Sequence, residues 1–325
     1  MNDPLLSIRD LTIHYEMEQS VVEAVNGVSF DVFEGEAVGL VGETGAGKTT
    51  TALGIMRLIQ TPPGHIVQGS IRFMGEDLLQ KSETQMRKIR GNQISMIFQD
   101  PMTSLNPVMT VGEQISEVIR LHNHLSRKEA LRQAVDMLEM VGIPGSRYME
   151  YPHQFSGGMK QRVVIAIALA CKPKLLIADE PTTALDVTIQ AQVLDMILKL
   201  QKELHTSTIL ITHDLGVVAE TCDKVGILYA GQIVEFSNLH EIYKNPLHPY
   251  TKGLFGSLPD ISKKLTRLKP IKGLMPDPTA LPNYCSFYDR CDHRTDACKQ
   301  GEPPFVEATP GHWVRCKCLT GGETA

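Results

Sequence analysis

The sequence Ala-Val-Gly-Leu-Val-Gly-Glu-Thr-Gly-Ala-Gly-Lys-Thr-Thr, residues 37–50, decides the fold of this chain. Its first five residues are mostly apolar and predict a buried strand, and the residues from Gly42 fit the phosphate-binding pattern G-x-x-x-x-G-K-[ST]. The glycines let consecutive backbone N–H groups point into one concavity, and a helix beginning at Lys48 adds the positive end of its dipole. The alternative is a glycine turn that binds nothing, but the strand before the loop and the helix after it argue for phosphate binding.

The expected ligand of this loop is a nucleotide polyphosphate with Mg²⁺. Lys48 would reach the β- and γ-phosphates, and the Thr49 hydroxyl would bind the metal. Tyr15 ends a predicted strand upstream of the loop, where its ring could stack on a purine; an ordinary aromatic at a strand edge is the alternative. The candidate nucleotide-binding residues of the loop are Gly42, Glu43, Thr44, Gly45, Ala46, Gly47, Lys48, Thr49 and Thr50.

Composition limits the class of protein. The chain has 325 residues, 42% of them apolar and 21% charged, as in globular proteins that contain more than one compact unit. A net charge of −5 argues against a dedicated nucleic-acid binder. No apolar run approaches the ~20 residues of a membrane span, and the first residues lack a secretion signal. We therefore expect a cytoplasmic protein, which would work at a membrane only by docking on other proteins.

Two further predicted strands end in polar residues that suit phosphate chemistry. The apolar run from Lys174 ends in Asp179 and Glu180, which should point to opposite sides because side chains alternate along a strand. Asp179 suits Mg²⁺, and Glu180 suits a general base for water beside the γ-phosphate. The strand Thr208 to Thr212 precedes His213, for which we expect a γ-phosphate contact. The alternatives are a solvated acidic pair and a structural histidine.

The remaining pattern predicts further elements. Gln99 ends the strand from Gln93, either as a polar sensor near the phosphates or as a simple strand end, and two prolines in the segment Asp100 to Pro107 predict irregular structure. A second, weaker candidate for an anion-binding site is the sequence Ser156, Gly157 and Gly158, which precedes a predicted helix. The predicted helices span about Lys48 to Gln60, Val111 to His122, Ser126 to Gly142 and Val187 to Leu204, the last with Asp186 as N-cap; a strand lies around Ile66 to Met74.

Taken in order, these motifs resemble those of the ATPase subunits of ATP-binding-cassette (ABC) transporters. The resemblance rests on the loop from Gly42, Gln99, the Ser156-Gly157-Gly158 signature, the Asp179-Glu180 pair, Thr183-Ala184-Leu185-Asp186 and His213. It implies an α/β P-loop NTPase fold: a RecA-like core, an antiparallel β subdomain and an inserted helical subdomain at about residues 100–156. It also implies that Thr49, Gln99 and Asp179 hold Mg²⁺, and that Glu180, His213 and Gln99 act in catalysis.

The resemblance also implies partners. Two cassettes, identical or related, would meet head to tail, so that each ATP lies between one phosphate loop and the other subunit's signature. This chain has Phe155 and Met159 where the common signature has Leu and Gln. With Met159 in place of the glutamine, only the affinity for ATP or the rate of hydrolysis is in doubt, because Ser156 and two backbone N–H groups remain to hold the γ-phosphate.

A narrower resemblance points to the dipeptide and oligopeptide import branch, which also contains nickel importers. It rests on the segments of residues 98–107 and 245–251, Phe-Gln-Asp-Pro-Met-Thr-Ser-Leu-Asn-Pro and Asn-Pro-Leu-His-Pro-Tyr-Thr. Such systems pair the subunit with a second ATPase and two integral membrane permease subunits on the inner face of the membrane. An external peptide-binding protein acts only indirectly. A soluble cassette ATPase acting on nucleic acid or ribosomes, a non-enzymatic iron–sulfur scaffold, and import of nickel or antimicrobial peptides are the alternatives.

The last 70 residues have a different composition. Residues 1–255 are predicted to form the ATPase domain, and residues 256–325 a loop-rich extension that contains five of the seven cysteines. The gaps after Cys285, Cys291 and Cys298 are five, six and seventeen residues, which do not match common zinc sites but suit a cubane iron–sulfur cluster. Members of the peptide-import branch have a similar tail with a [4Fe-4S] cluster, which by motif position would lie on Cys285, Cys291, Cys298 and Cys316. Zinc and free thiols are the alternatives, and Cys318 or His312 could replace the fourth ligand.

Overall fold

A computed structural model of the protein describes residues 3–182, 186–257 and 270–320. The chain divides into two compact units, each built from separate stretches of sequence. The first unit contains the start of the described chain to Leu6, then Val32–Ala37 and Phe73–Thr212. The second contains Ser7–Asp31, Val38–Arg72 and the described residues from His213 onward.

The described strands are β1 Leu6–Glu16, β2 Val21–Val32, β3 Ala37–Val41, β4 Gly64–Phe73, β5 Glu76–Asp77, β6 Ile94–Ile97, β7 Leu175–Asp179, β8 Ser207–Thr212, β9 Lys224–Tyr229, β10 Gln232–Asn238, β11 Val306–Thr309 and β12 His312–Val314. The described α-helices are α1 Lys48–Ile55, α2 Glu83–Ile89, α3 Pro101–Ser104, α4 Val111–Asn123, α5 Arg127–Met140, α6 Gly157–Leu169, α7 Val187–Leu204, α8 Leu215–Thr221, α9 Leu239–Lys244, α10 Pro249–Gly256 and α11 Lys317–Thr320.

The first unit contains three parallel strands, β6, β7 and β8, with β7 in the middle. Every residue of these strands is buried, which explains why the sequence shows continuous apolar runs here and no alternation. Asp179 of β7 is in register with Ile211 of β8, so both strands end at the same edge. The predicted strands from Lys174 and Thr208 are confirmed.

Helices of the first unit pack around this short sheet. α4 contacts α5 and α6, and α6 contacts α7 and β6. Capping boxes begin α4 and α5, with Thr110 paired to Glu113 and Ser126 paired to Glu129. The predicted helices from Val111, Ser126 and Val187 are therefore confirmed, although Asp186 makes no side-chain hydrogen bond as N-cap of α7.

One prediction in this unit is wrong. The segment Asp100 to Pro107 contains the short helix α3, where two prolines led us to expect irregular structure. Pro101 is the first residue of this helix, and a proline is tolerated there because the first N–H of a helix has no intrahelical partner. The Ser104 hydroxyl donates to the Asp100 carbonyl at 2.6 Å and stabilises the turn.

The second unit contains the phosphate loop and the cysteine-rich segment. β3 pairs with β9 in parallel, β9 with β10 in antiparallel orientation, and β10 with β12, which also pairs with β11. Strands β2, β1 and β4 are neighbours in that order. The boundary expected between residues 255 and 256 stays a prediction, but Phe236 of β10 pairs with Trp313 of β12 across it.

Helix α1 begins at Lys48 as predicted but ends at Ile55, earlier than the expected Gln60. Arg57, two residues after the last helical residue, has a positive φ of 51°, which terminates the helical backbone. None of the helices in the described ranges is both long enough and apolar enough to cross a membrane.

Candidate active site

The phosphate loop connects β3, which is buried at all five positions, to α1. Lys48 is 6% exposed, and its ammonium group donates to the carbonyls of Gly42 at 2.7 Å and Glu43 at 3.0 Å. These bonds hold the lysine against its own loop. Thr44, Gly45 and Thr49 are exposed, Thr50 is half-buried, and Ala46 is buried.

Two glycines of the loop are required by its surroundings. A Cβ at Gly42 would lie 2.3 Å from the carbonyl oxygen of Leu228. Gly47 has a φ of +96°, and a Cβ there would lie 2.5 Å from the carbonyl oxygen of Ala24. The loop is therefore packed tightly against the unit from which it projects, and its shape is fixed before any ligand binds.

In the first unit, the structure brings Gln99 and Glu180 together. The Gln99 amide Nε2 donates to Glu180 Oε2 at 3.0 Å. Asp179 is only 2% exposed, and the Glu180 backbone N–H donates to Ile211 at the end of β8. Glu180 has a positive φ of 46°, a conformation that costs a side-chain-bearing residue about 1 kcal/mol or more and is concentrated at functional sites. Of the two adjacent carboxylates at the end of β7, that of Asp179 is buried and that of Glu180 lies beside Gln99.

The signature residues begin helix α6. The Ser156 hydroxyl accepts a hydrogen bond from the Met159 N–H, as an N-cap does, and Ser156 and Gly157 are exposed. A Cβ at Gly157 would meet no atom within 4 Å, whereas one at Gly158 would lie 2.6 Å from Ile189 Cγ2. The helix N-terminus is therefore open on one side and packed on the other.

The sequence did not predict two contacts that support the signature. The Arg147 guanidinium lies 4.4 Å from the centroid of the Phe155 ring and donates to the Met159 sulfur at 3.4 Å. The buried Gln161 of α6 donates to the Pro181 carbonyl, directly after Glu180. The unusual Phe155 and Met159 are thus held by one arginine. No sequence motif marked Arg147 or Gln161.

The other predicted site residues lie at element ends. The Tyr15 ring is half-buried near the end of β1 and would lie within 3 Å of a Cβ at Gly64. His213 is exposed and precedes Asp214, whose carboxylate caps α8 by accepting the N–H groups of Gly216 and Val217. Thr183, Ala184 and Leu185 lie outside the described residues.

The cysteines of the C-terminal segment lie close together. Cys291, Cys298 and Cys316 are buried, and Cys285 is half-buried. Burial, together with smaller effects of the neighbouring Cys298, Cys316 and Cys291, raises the pKa of Cys285 to about 11. The sulfurs of Cys298 and Cys318 are 3.8 Å apart, and hydrogen bonds from Thr295 help to lower the pKa of Cys298 against the effect of burial. None of the seven cysteines forms a disulfide.

Within the described part of the chain, no group of three or more His, Cys, Asp or Glu side chains has an arrangement that could hold a metal ion. His312 is already engaged, since its Nε2 lies 2.7 Å from Oε1 of the buried Glu235. That contact makes His312 a poor substitute ligand.

Comparison with known protein families gives two matches. The ABC transporter family model matches residues 25–183, and the model of the oligopeptide/dipeptide transporter C-terminal region matches residues 234–298. Among solved structures, the dimeric ATP-binding cassette MJ0796 bound to ADP and phosphate is similar, with a TM-score of 0.65 and 27% identity over 72% of this chain and 98% of that one.

Relatives of known name match along nearly the whole chain. The oligopeptide transport ATP-binding protein AppD of Bacillus subtilis is 50% identical over 96% of both chains. The dipeptide transport ATP-binding protein DppD of the same organism is 47% identical over 97% of this chain and 94% of its own. The chain therefore belongs to the ABC transporter family, as an ATPase of the oligopeptide and dipeptide import branch with the P-loop fold of that family.

Proposed function

We propose that this chain hydrolyses ATP to drive the import of dipeptides or oligopeptides through membrane permease subunits. The observation that carries this proposal is the 50% identity to an oligopeptide transport ATP-binding protein over 96% of both chains, together with the matching C-terminal region. The names of these relatives favour peptides over nickel, and no comparison supports an action on nucleic acid or ribosomes.

In this proposal the phosphate loop holds the triphosphate. Its backbone N–H groups and Lys48 neutralise the phosphate charge, and Tyr15 stacks on the base. Mg²⁺ prefers oxygen ligands and would be held by those of Thr49, Gln99 and Asp179. When bound, it would neutralise charge on the β- and γ-phosphates. The Gln99 amide nitrogen donates to Glu180, so its oxygen stays available for the cation.

Glu180 would deprotonate the attacking water, and His213 would stabilise the γ-phosphate as negative charge develops. Ser156, Gly157 and Gly158 would contact the nucleotide of a second cassette, identical or related. The open space at Gly157 and the dimeric relative MJ0796 support this arrangement. The two permease subunits would place the ATPase at the inner face of the membrane, and the external binding protein would not touch it.

The test is reconstitution in liposomes with the two integral permease subunits that the proposal requires. We expect peptide-stimulated ATP hydrolysis and ATP-dependent peptide uptake. Glu180→Gln should keep ATP affinity and lose turnover by at least ~10²-fold, because the loop survives and the base is lost. Normal hydrolysis by this variant would remove Glu180 from the mechanism. Hydrolysis that never responds to peptide would contradict the transport proposal.

We further propose that Cys285, Cys291, Cys298 and Cys316 hold a [4Fe-4S] cluster that stabilises the loop-rich segment, with Cys318 as the alternative fourth ligand. The thiols are chemically suited to iron, and their mutual proximity supports the proposal. The four thiolates would be the residues that hold the cluster. When bound, such a cluster cross-links its four ligands.

This second proposal is tested by purification without oxygen. We expect brown protein with broad absorption near ~400 nm and matching iron and sulfide contents. Cys298→Ser should abolish the colour, whereas Cys171→Ser, a matched change of a half-buried cysteine outside the segment, should retain it. Colourless wild-type protein with stoichiometric zinc would overturn the proposal.

A further inference from the structure

Glu43, the second residue of the phosphate loop, forms an ion pair with the cysteine-rich segment. Arg290 Nη1 donates to Glu43 Oε2 at 3.0 Å, and Nη2 donates to Oε1 at 3.1 Å. The Arg290 side chain is 6% exposed and the Glu43 side chain 33%. This two-pronged geometry is the strong form of an arginine–carboxylate pair, and one partner is almost completely removed from water.

The cysteine-rich segment determines where Arg290 points. Arg290 lies directly before Cys291, whose N–H donates to Tyr288. The Arg290 Nε donates to the Lys272 carbonyl at 3.0 Å, and the Arg290 guanidinium lies 5.6 Å from the centroid of the Tyr229 ring. The backbone that holds Cys291 therefore also fixes the arginine.

A second contact holds the backbone of Glu43. The Tyr250 hydroxyl accepts the Glu43 N–H at 3.0 Å, and Tyr250 is completely buried against Tyr229 and Phe287. Tyr250 belongs to the Asn-Pro-Leu-His-Pro-Tyr stretch, whose His248 accepts the Tyr250 N–H. Both the backbone and the side chain of Glu43 are thus anchored.

A third contact reaches the exposed part of the loop. A Cβ placed on Gly45 would lie 3.1 Å from Met275 Cε, so Met275 lies beside this exposed glycine. The segment of residues 270–320 therefore contacts the phosphate loop at Glu43 and comes close to it at Gly45.

The charge of Glu43 gives the ion pair a consequence for binding. A carboxylate inside a loop that binds a polyphosphate opposes its ligand, because like charges repel. Arg290 neutralises this carboxylate and holds it through two hydrogen bonds. If the arginine were lost, the carboxylate would be unpaired beside the phosphates.

We propose that Arg290 is a positioning residue through which the cysteine-rich segment sets the affinity of the phosphate loop for ATP. This inference rests on the proposed role of the loop in ATP binding. It gives the segment a function in nucleotide binding in addition to its own folding: loosening the segment releases Glu43, and the loop then binds ATP more weakly.

The test is the dissociation constant of a fluorescent ATP analogue and of ATP itself, measured on the full chain with Mg²⁺. We expect Arg290→Ala to raise Kd about tenfold and Arg290→Lys to raise it less, because lysine keeps the charge but not the paired hydrogen bonds. Glu43→Ala combined with Arg290→Ala should recover most of the affinity lost in Arg290→Ala, because no unpaired carboxylate remains and the backbone N–H of residue 43 is kept. Arg294→Ala is the matched control, since Arg294 donates to the backbone of Asp289 and lies over Tyr288.

The link to the cysteines is tested in the same assay. Cys291→Ser should raise Kd in the wild-type background but leave it unchanged in the Glu43→Ala, Arg290→Ala background. Hydrogen exchange of the amides of residues 42–47 should quicken with Cys291→Ser, which reports the loop without using activity. This inference would be overturned if Cys291→Ser raised Kd by the same factor in both backgrounds, or if Arg290→Ala left Kd unchanged. Wild-type protein that binds no ATP would overturn the proposed function.

Discussion

Gly157 and Gly158 are neighbours in sequence with opposite surroundings. Gly157 faces open space, whereas a Cβ on Gly158 would lie 2.6 Å from Ile189 Cγ2 on α7. The second glycine is therefore required by helix packing, and the first lies on the open side where we propose that a nucleotide binds. This difference separates a stability role from a proposed binding role within one motif.

Alanine substitution of each glycine tests this difference. Gly158→Ala should destabilise the protein by about 1–3 kcal/mol, because the extra methyl forces α6 and α7 apart. Gly157→Ala, its matched control, should change stability by less than about 0.5 kcal/mol. Urea unfolding followed by circular dichroism provides the measurement. Equal midpoints for the two variants would contradict the role assigned to Gly158.

At the scale of elements, helix α10 depends on a neutral histidine. His248 is the N-cap of α10, and its Nδ1 accepts the Tyr250 N–H at 3.1 Å, which a protonated ring nitrogen could not do. Burial, with a smaller effect of the Lys252 charge, lowers the pKa of His248 to about 3, against the opposing effect of a hydrogen bond to the Arg315 backbone. Both carboxylate oxygens of Glu235 accept N–H groups from the preceding turn, at Leu247 and His248.

The shifted pKa predicts that stability depends on pH. Because the folded-state pKa of His248 lies below that of the unfolded chain, its contribution is complete above about pH 6.5 and is lost as the pH falls toward 3. At pH 5.5 the loss relative to pH 7.5 should be about 1.4 kcal/mol. His248→Asn, which can still cap the helix, should remove this loss, and the exposed His240→Asn should not. Thermal unfolding at both pH values measures it, and an unchanged pH dependence in His248→Asn would refute the assignment.

At the scale of the whole molecule, each compact unit is assembled from distant stretches of the chain. Arg290 and Glu43 are 247 residues apart in sequence and form an ion pair within one unit. Similarly, β12 of the C-terminal segment pairs with β10 on one side and with β11 on the other. The C-terminal segment is thus built into the unit that contains the phosphate loop, which is why a change near Cys291 is expected to reach Glu43.

Local patterns in the sequence determined much of this protein. The apolar run before Gly42, the glycines of the loop, the acids after Ala178 and the capping boxes at Thr110 and Ser126 all act through neighbouring residues. Their elements were therefore predictable. Two predictions were wrong, the irregular structure expected at α3 and the end of α1. Each depended on the backbone conformation of a single residue, Pro101 in the first case and Arg57 in the second.

Only the tertiary structure decided what the distant residues do. It paired Arg290 with Glu43, seated Tyr250 against the loop, placed Arg147 beneath the signature and committed His312 to Glu235. Most of these contacts join residues far apart in sequence, and no local pattern predicts which residue each side chain pairs with. A local pattern specifies an element because its interactions lie within a few residues, whereas such pairs exist only once packing has brought the elements together.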